Sequence, residues 1–226
     1  KNKGESDLTQ QNPAILWDMD GTIVDSKDCH FHAWVETLKR RGIDLDEAKF
    51  TSSFGRNNTI SLPFYLGYQP EPDVYDEIVH EKESLFLELV LNDSKLVPGV
   101  ETWLAAAQEN GIRQALASSS ETEIIDLLID KFSLRHYFDA IVPGAALPSK
   151  PDPEIFLRAA KKVEHEPEQC VVIEDSLAGV QGGKNAGMKC IAVTTTFSRE
   201  ALTLADRVVE DYNRPLLPML QDIELL

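Results

Sequence analysis

The stretch Ala14-Ile15-Leu16-Trp17-Asp18-Met19-Asp20-Gly21-Thr22 decides the fold. Its apolar run lies between two turn-formers, Pro13 and Gly21, and reads as a buried strand that ends abruptly in acid. Two carboxylates spaced i, i+2 at a strand end lean to the same side of the sheet. In an open parallel sheet that carboxyl edge is where ligands bind. Gly21 permits a sharp turn, and the Thr22 hydroxyl can bond the turn or a neighbouring carboxylate. A lone Asp-x-Asp reads better as an Asx turn closing a strand. The rest of the chain separates the two readings.

Downstream, a helical pattern runs from about Lys27 to Arg41, with Phe31, Trp34, Val35 and Leu38 on one face, and stops at Gly42. Helical segments at 46–54, 58–66 and 73–91 follow without a strand, so residues 25–95 read as an inserted helical subdomain. From Val97-Pro98-Gly99 onward, helix and strand alternate. Strands are expected at 113–118, 140–142, 170–173 and 190–194, with a weaker one at 207–209. Helices are expected at 100–109, 122–132, 154–163 and 177–186 and at the C-terminus. For the helix from Glu154, Asp152 reads as N-cap and Pro153 as the first position. Alternation of this kind argues for an α/β fold with a doubly wound parallel sheet. The core is assigned to 13–24 and 96–226, and residues 1–12 read as a polar tail or frayed end.

At 226 residues the chain can bury a substantial core, and 42% hydrophobic with 27% charged content is ordinary for a globular protein. A formal net charge of −16 argues against nucleic acid or an anionic membrane as partner. No apolar run is long enough to span a bilayer, and the first residues lack the apolar core of a signal peptide. Cys29, Cys170 and Cys190 are too irregular for a disulfide framework or a metal site, which fits a reducing cytoplasm. Cys170 and Cys190 read as small buried hydrophobes; Cys29 receives no role.

Four expected strand ends carry or precede polar residues: Asp18/Asp20, Ser118 to Ser120, Lys150, and Glu174/Asp175. A parallel sheet brings all four to one edge. Four acids gathered without a cation would raise one another's pKa, and hard oxygen donors lacking Cys or His suit Mg²⁺ better than Zn²⁺. Lys150 adds positive charge and Ser118 a hydroxyl, completing a cradle for a phosphoryl group. One carboxylate can attack phosphorus, and the other can pass a proton to and from the oxygens that leave and arrive. Taken singly, Glu174-Asp175-Ser176 reads as a helix cap, Lys150 as a solvated lysine and the serines as a turn.

Asp18-Met-Asp-Gly-Thr, Ser118, Lys150-Pro-Asp-Pro and Glu174-Asp-Ser-Leu-Ala-Gly179 resemble, in order and spacing, the four motifs of the haloacid dehalogenase superfamily. The insertion resembles its α-helical cap, and the likeness is to the β-phosphoglucomutase-like phosphatases and mutases, from about Ile15 to Val209. The resemblance implies Asp18 as nucleophile and metal ligand, and Asp20 as general acid/base whose carbonyl reaches the metal. It implies Ser118 and Lys150 on the transferring phosphoryl, and Glu174 and Asp175 as further Mg²⁺ ligands. Ser119, His30, Arg56 and, as a weaker match, Lys82 are the substrate-binding residues it suggests. Ala178-Gly179 and Ala186-Gly187-Met188 match positions where small residues allow close helix–sheet packing.

The expected reaction is Mg²⁺-dependent hydrolysis of a small sugar phosphate through an aspartyl-phosphate, with a β-phosphoglucomutase-type transfer as the alternative. Glu121-Thr122 stands where a mutase is expected to carry Lys-Asn on its second phosphate, and an acid there repels such a group. A P-loop is excluded because Ala178 and Asn185 occupy positions that need Gly and Ser or Thr. A receiver domain has no use for the helical insertion, and a non-catalytic descendant of the fold would not need every reactive residue. A small phosphate ester as partner and a monomeric chain complete the expectation.

Overall fold

The computed structural model describes residues 12–226. The tail expected at 1–12 lies outside these except for Asn12, which donates to the Asn110 carbonyl while its own carbonyl contacts His165 Nε2. From β1 (Ala14–Trp17) the chain passes through β2 (Val24–Asp25) into α1 (Lys27–Lys39), α2 (Glu47–Ser53), α3 (Asn58–Leu66) and α4 (Pro72–Asp93). It returns through β3 (Lys95–Leu96), α5 (Val100–Glu109), β4 (Arg113–Ser118), α6 (Thr122–Lys131), β5 (Ala140–Pro143) and α7 (Glu154–Lys162). β6 (Cys170–Glu174), α8 (Leu177–Asn185), β7 (Lys189–Val193), β8 (Arg207–Val209) and α9 (Leu216–Asp222) complete it.

The main sheet is parallel throughout, in the order β5-β4-β1-β6-β7-β8. β1 is central because it is apolar on both faces. Ile15 and Trp17 pack with α5, α6 and α9, while Ala14 and Leu16 pack with α7 and α8. The strand order reverses on either side of β1, which places its carboxyl end at the topological switch point.

α1 to α4 gather a separate cluster around Trp34, Leu38, Phe50, Leu62, Tyr65 and Ile78. The aromatic spacing in α1 fits this, since Phe31 and Val35 pack against the same cluster. β2 and β3, not anticipated from sequence, form a short antiparallel pair in which Val24 faces Leu96 and Asp25 faces Lys95. Two-residue strands carry no periodic signal; only the return of the chain pairs them. They stand where it enters and leaves the helical block. At α7 the N-cap is Pro153 and not Asp152, although the Asp152 carboxylate still accepts from the Glu154 amide at 2.9 Å.

Candidate active site

β1 delivers Asp18 to the sheet edge, where its amide donates to the Ile173 carbonyl of β6 at 3.0 Å. Gly21 then turns the chain with φ +80°, and a Cβ there would stand 2.0 Å from Asp175 Oδ2, so glycine alone lets the turn pass that acid. Lys150 reaches Asp18 Oδ1 at 2.5 Å and Glu174 Oε1 at 2.9 Å, with only 1% of its surface exposed. Glu174 folds back so that Oε2 accepts from the Asp175 and Ser176 amides at 2.8 and 2.7 Å. Gly179 makes room for that carboxylate: a Cβ there would lie 1.6 Å from Glu174 Oε1. The helix cap belongs to Ser176, whose hydroxyl accepts from the Gly179 amide. Thr22 donates to Asp175 Oδ1 at 3.4 Å, as its position beside the acids suggested.

Asp18, Glu174 and Asp175 each offer a carboxylate oxygen within 4.8 Å of the others. Asp175 Oδ2 is buried with no hydrogen-bond partner among the described residues. Three buried acids face one ammonium, and the imbalance shows in their titration. Burial, opposed by Lys150, pushes Asp18 up to about 8. Burial and then Glu174 and Asp18 raise Asp175. Lys150 is held charged by Asp18 and Glu174 against its own burial. An all-oxygen donor set with excess negative charge and an orphaned carboxylate oxygen fits a hard divalent cation.

Asp20 goes a different way. Its carboxylate accepts from Ser26 Oγ at 2.6 Å and Ser120 Oγ at 3.2 Å, and lies 3.2 Å from His30 Nε2. Burial opposes the charge on Asp20, but His30, Ser26 and Lys82 outweigh it and hold the carboxyl below its usual value. His30 stacks on Phe86 with centroids 3.7 Å apart, and its Nδ1 meets Lys82 Nζ at 3.1 Å. Burial and the Lys82 charge keep the imidazole pKa low. Lys82 is 1% exposed, pairs with Glu83 at 2.9 Å and lies over Trp34 and Phe86.

A cavity of about 60 Å³ brings Asp18, Asp20, His30, Arg56, Lys82 and Ser119 together. Arg56 is exposed and has no ion pair among the described residues. Lys150, Glu174 and Asp175 join through Asp18. Ser118 is fully buried and accepts from the Ser120 amide at 3.2 Å, while Ser119 and Ser120 line the cavity in its place. Ser26 and Glu83 were missed by sequence reasoning, and Ser120 was placed at the edge without its bond to Asp20. A serine just past the strand end or at a helix N-cap is ordinary turn chemistry, and only the fold aims these two at Asp20. Cys29 is buried in the main core, its thiol pushed up to about 11 by burial and then Asp93, and takes no part.

The loops over the edge are tied to the helical block. Ser119 donates to the Gly55 carbonyl at 3.0 Å, and Ser149 Oγ accepts from the Asn57 amide at 3.0 Å. Asn57 Nδ2 reaches the Gly144 and Leu147 carbonyls at 3.3 and 3.0 Å.

The family model of haloacid dehalogenase-like hydrolases matches residues 15–193, the span that carries every residue above. The chain belongs to that family. Within haloacid dehalogenase-like hydrolases it is 32% identical to the fructose-1-phosphate phosphatase of Escherichia coli strain K12, over 82% of this chain and 98% of the relative. It is 31% identical to the β-phosphoglucomutase of Bacillus subtilis strain 168, over 80% of this chain and 82% of the relative. Among solved structures of the family, β-phosphoglucomutase from Clostridium difficile superposes with a TM-score of 0.85 at 27% identity, covering 94% of this chain and 97% of that one. No described helix is long and apolar enough to cross a membrane.

Proposed function

We propose that this chain is a phosphatase of a small sugar phosphate monoester, with Asp18 as nucleophile and Asp20 as proton carrier. The observation that carries the reading is the meeting of Asp18 with Lys150, Glu174 and Asp175 at the sheet edge, while Asp18 also lines the cavity with Asp20. Asp18, Glu174 and Asp175 would hold Mg²⁺, with the Asp20 carbonyl as a further ligand implied by the family motif. When bound, the ion would neutralise charge on the phosphoryl oxygens and bring the Asp18 carboxyl back to its ionised form.

In the first step the Asp18 carboxylate forms a bond to phosphorus as the ester P–O bond breaks, and the leaving oxygen takes its proton from Asp20. Asp20 is held ionised before substrate arrives; a dianionic phosphoryl beside it raises its pKa toward the protonated form that this step needs. In the second step water attacks the aspartyl-phosphate, gives its proton to Asp20, and inorganic phosphate leaves as the Asp18–phosphorus bond breaks. Lys150 steadies Asp18 in both steps, and Arg56 supplies donors from the cavity wall. The helical block lies over this edge as a cap, excluding bulk water from the phosphoryl end.

The sugar class comes from the relatives, whose names include a fructose-1-phosphate phosphatase and a hexitol phosphatase. The test is release of inorganic phosphate from a panel of phosphate esters with and without Mg²⁺, alongside Asp18→Asn. Activity that survives Asp18→Asn overturns the assignment. Incubation with β-glucose 1-phosphate and a trace of bisphosphate separates the mutase reading, because a mutase yields glucose 6-phosphate where a phosphatase yields glucose and phosphate.

A further inference from the structure

A cleft of about 730 Å³ lies beside the cavity over Asp18, between the helical block and the loops after β4 and β5. Asn58, Glu83, Glu121 and Ala145 line both spaces and so form the partition between them. Glu83 and Glu121 therefore stand in the wall of the same cavity that Asp18 lines. Glu83 Oε1 accepts from Lys82 Nζ at 2.9 Å and Asn58 Nδ2 at 2.7 Å. Its other oxygen, Oε2, is buried with no donor among the described residues. Burial opposes charge on Glu83, yet Lys82, His30 and Asn58 keep it ionised. Glu121 is exposed on the same partition, and burial together with Glu83 and Glu123 lifts its carboxyl, as expected of acids facing one another. Beyond it, Asp76 and Glu123 line the outer cleft against His80 and Arg158.

We infer that Glu83 and Glu121 set the substrate class: a monophosphate whose leaving group is a neutral polyol. Its hydroxyls would donate to Glu83, and a second phosphate on it would be turned away. This rests on the phosphatase reading above. The physical reason is twofold. An ionised, half-satisfied carboxylate rewards an arriving donor and leaves an acceptor stranded when none comes. Facing acids repel a second anion at a distance that a hydroxyl does not feel.

The experiment measures kcat/KM with Mg²⁺ for glucitol 6-phosphate, fructose 1,6-bisphosphate and p-nitrophenyl phosphate. Wild type should prefer the glucitol ester to the bisphosphate by about tenfold or more, and the preference should narrow as KCl rises from about 50 to about 500 mM. Glu121→Lys should move that ratio toward the bisphosphate by roughly tenfold. Glu83→Gln should lower the ratio of glucitol ester to p-nitrophenyl phosphate by roughly tenfold, chiefly through KM. If Glu83→Gln fails to fold, the exposed Glu121→Lys decides alone. Hydrolysis of all three esters with ratios indifferent to salt and to Glu121→Lys overturns the inference and leaves the phosphatase standing. Failure to hydrolyse any of the three removes the phosphatase reading, and the inference with it.

Discussion

The strand-edge acids and the wall that the helical block turns toward them are both buried and charged, yet their charges are arranged in opposite ways. At the edge, Asp18, Glu174 and Asp175 share one ammonium, and an acid oxygen is left without a partner among the described residues. On the wall, His30 sits between Asp20 and Lys82, and Lys82 answers Glu83, so each of these buried groups has a partner within 3.2 Å. The edge is short of positive charge and waits for a cation. The wall is nearly balanced and waits only for donors from a ligand. On the function proposed above, chemistry would belong to the first and selection to the second.

Lys150→Met should break the edge most severely. It leaves Asp18 and Glu174 buried without their cation, so unfolding in denaturant should show a loss of about 3–5 kcal/mol. Phosphate release should fall by roughly a thousandfold or more. Next in size is the response to metal. Mg²⁺ well above its Kd should stabilise the wild type by about 1–3 kcal/mol, seen as a rise of several degrees in Tm, and chelation should reverse it. Asp175→Asn should lose most of that rise, and a variant that keeps it would take Asp175 out of the cation site.

Asn57→Ala tests the joint between the two walls. Losing donors to the Gly144 and Leu147 carbonyls should cost about 1–2 kcal/mol and lower kcat/KM more than it lowers Tm would suggest. Unchanged kinetics would mean that the ties do not hold the loop before Lys150. The smallest effect is expected at the opposite end of the sheet, where Asp206 accepts from Lys184 Nζ and the Cys190 amide, both at 2.7 Å. Burial works against its charge, but Lys184 and the Cys190 amide hold its carboxyl below the ordinary 3.8. The unfolded chain then binds the proton more readily, so the stabilisation is present above the unfolded value and fades as pH falls through the folded one. Asp206→Asn should cost about 1 kcal/mol at pH 7 and nothing near pH 2, and a deficit that persists in acid would point to packing instead.

Much of the edge could be read in advance because its acids sit at or just past a strand end. Asp18 follows Trp17, Glu174 ends β6, and parallel pairing carries both to one side whatever the rest of the chain does. Ser118 was legible as a strand end but not as a cavity residue. Its hydroxyl turns back to the Ser120 amide, and the next two serines take the wall. Lys82 was named only as a weaker substrate-binding match, and nothing in its spacing announced a nearly complete burial over Trp34 and Phe86.

Sequence alone settled the alternation of strand and helix, the place of β1 and the gathering of acids with one lysine, because period-two burial and parallel pairing are local rules with a fixed geometric result. Tertiary structure alone decided which way Asp20 faces, that Glu83 keeps an oxygen unpartnered among the described residues, and that Asn57 ties the helical block to the loop before Lys150. Those depend on where helices remote in sequence come to rest over the sheet, and packing between elements leaves no periodic trace in the chain.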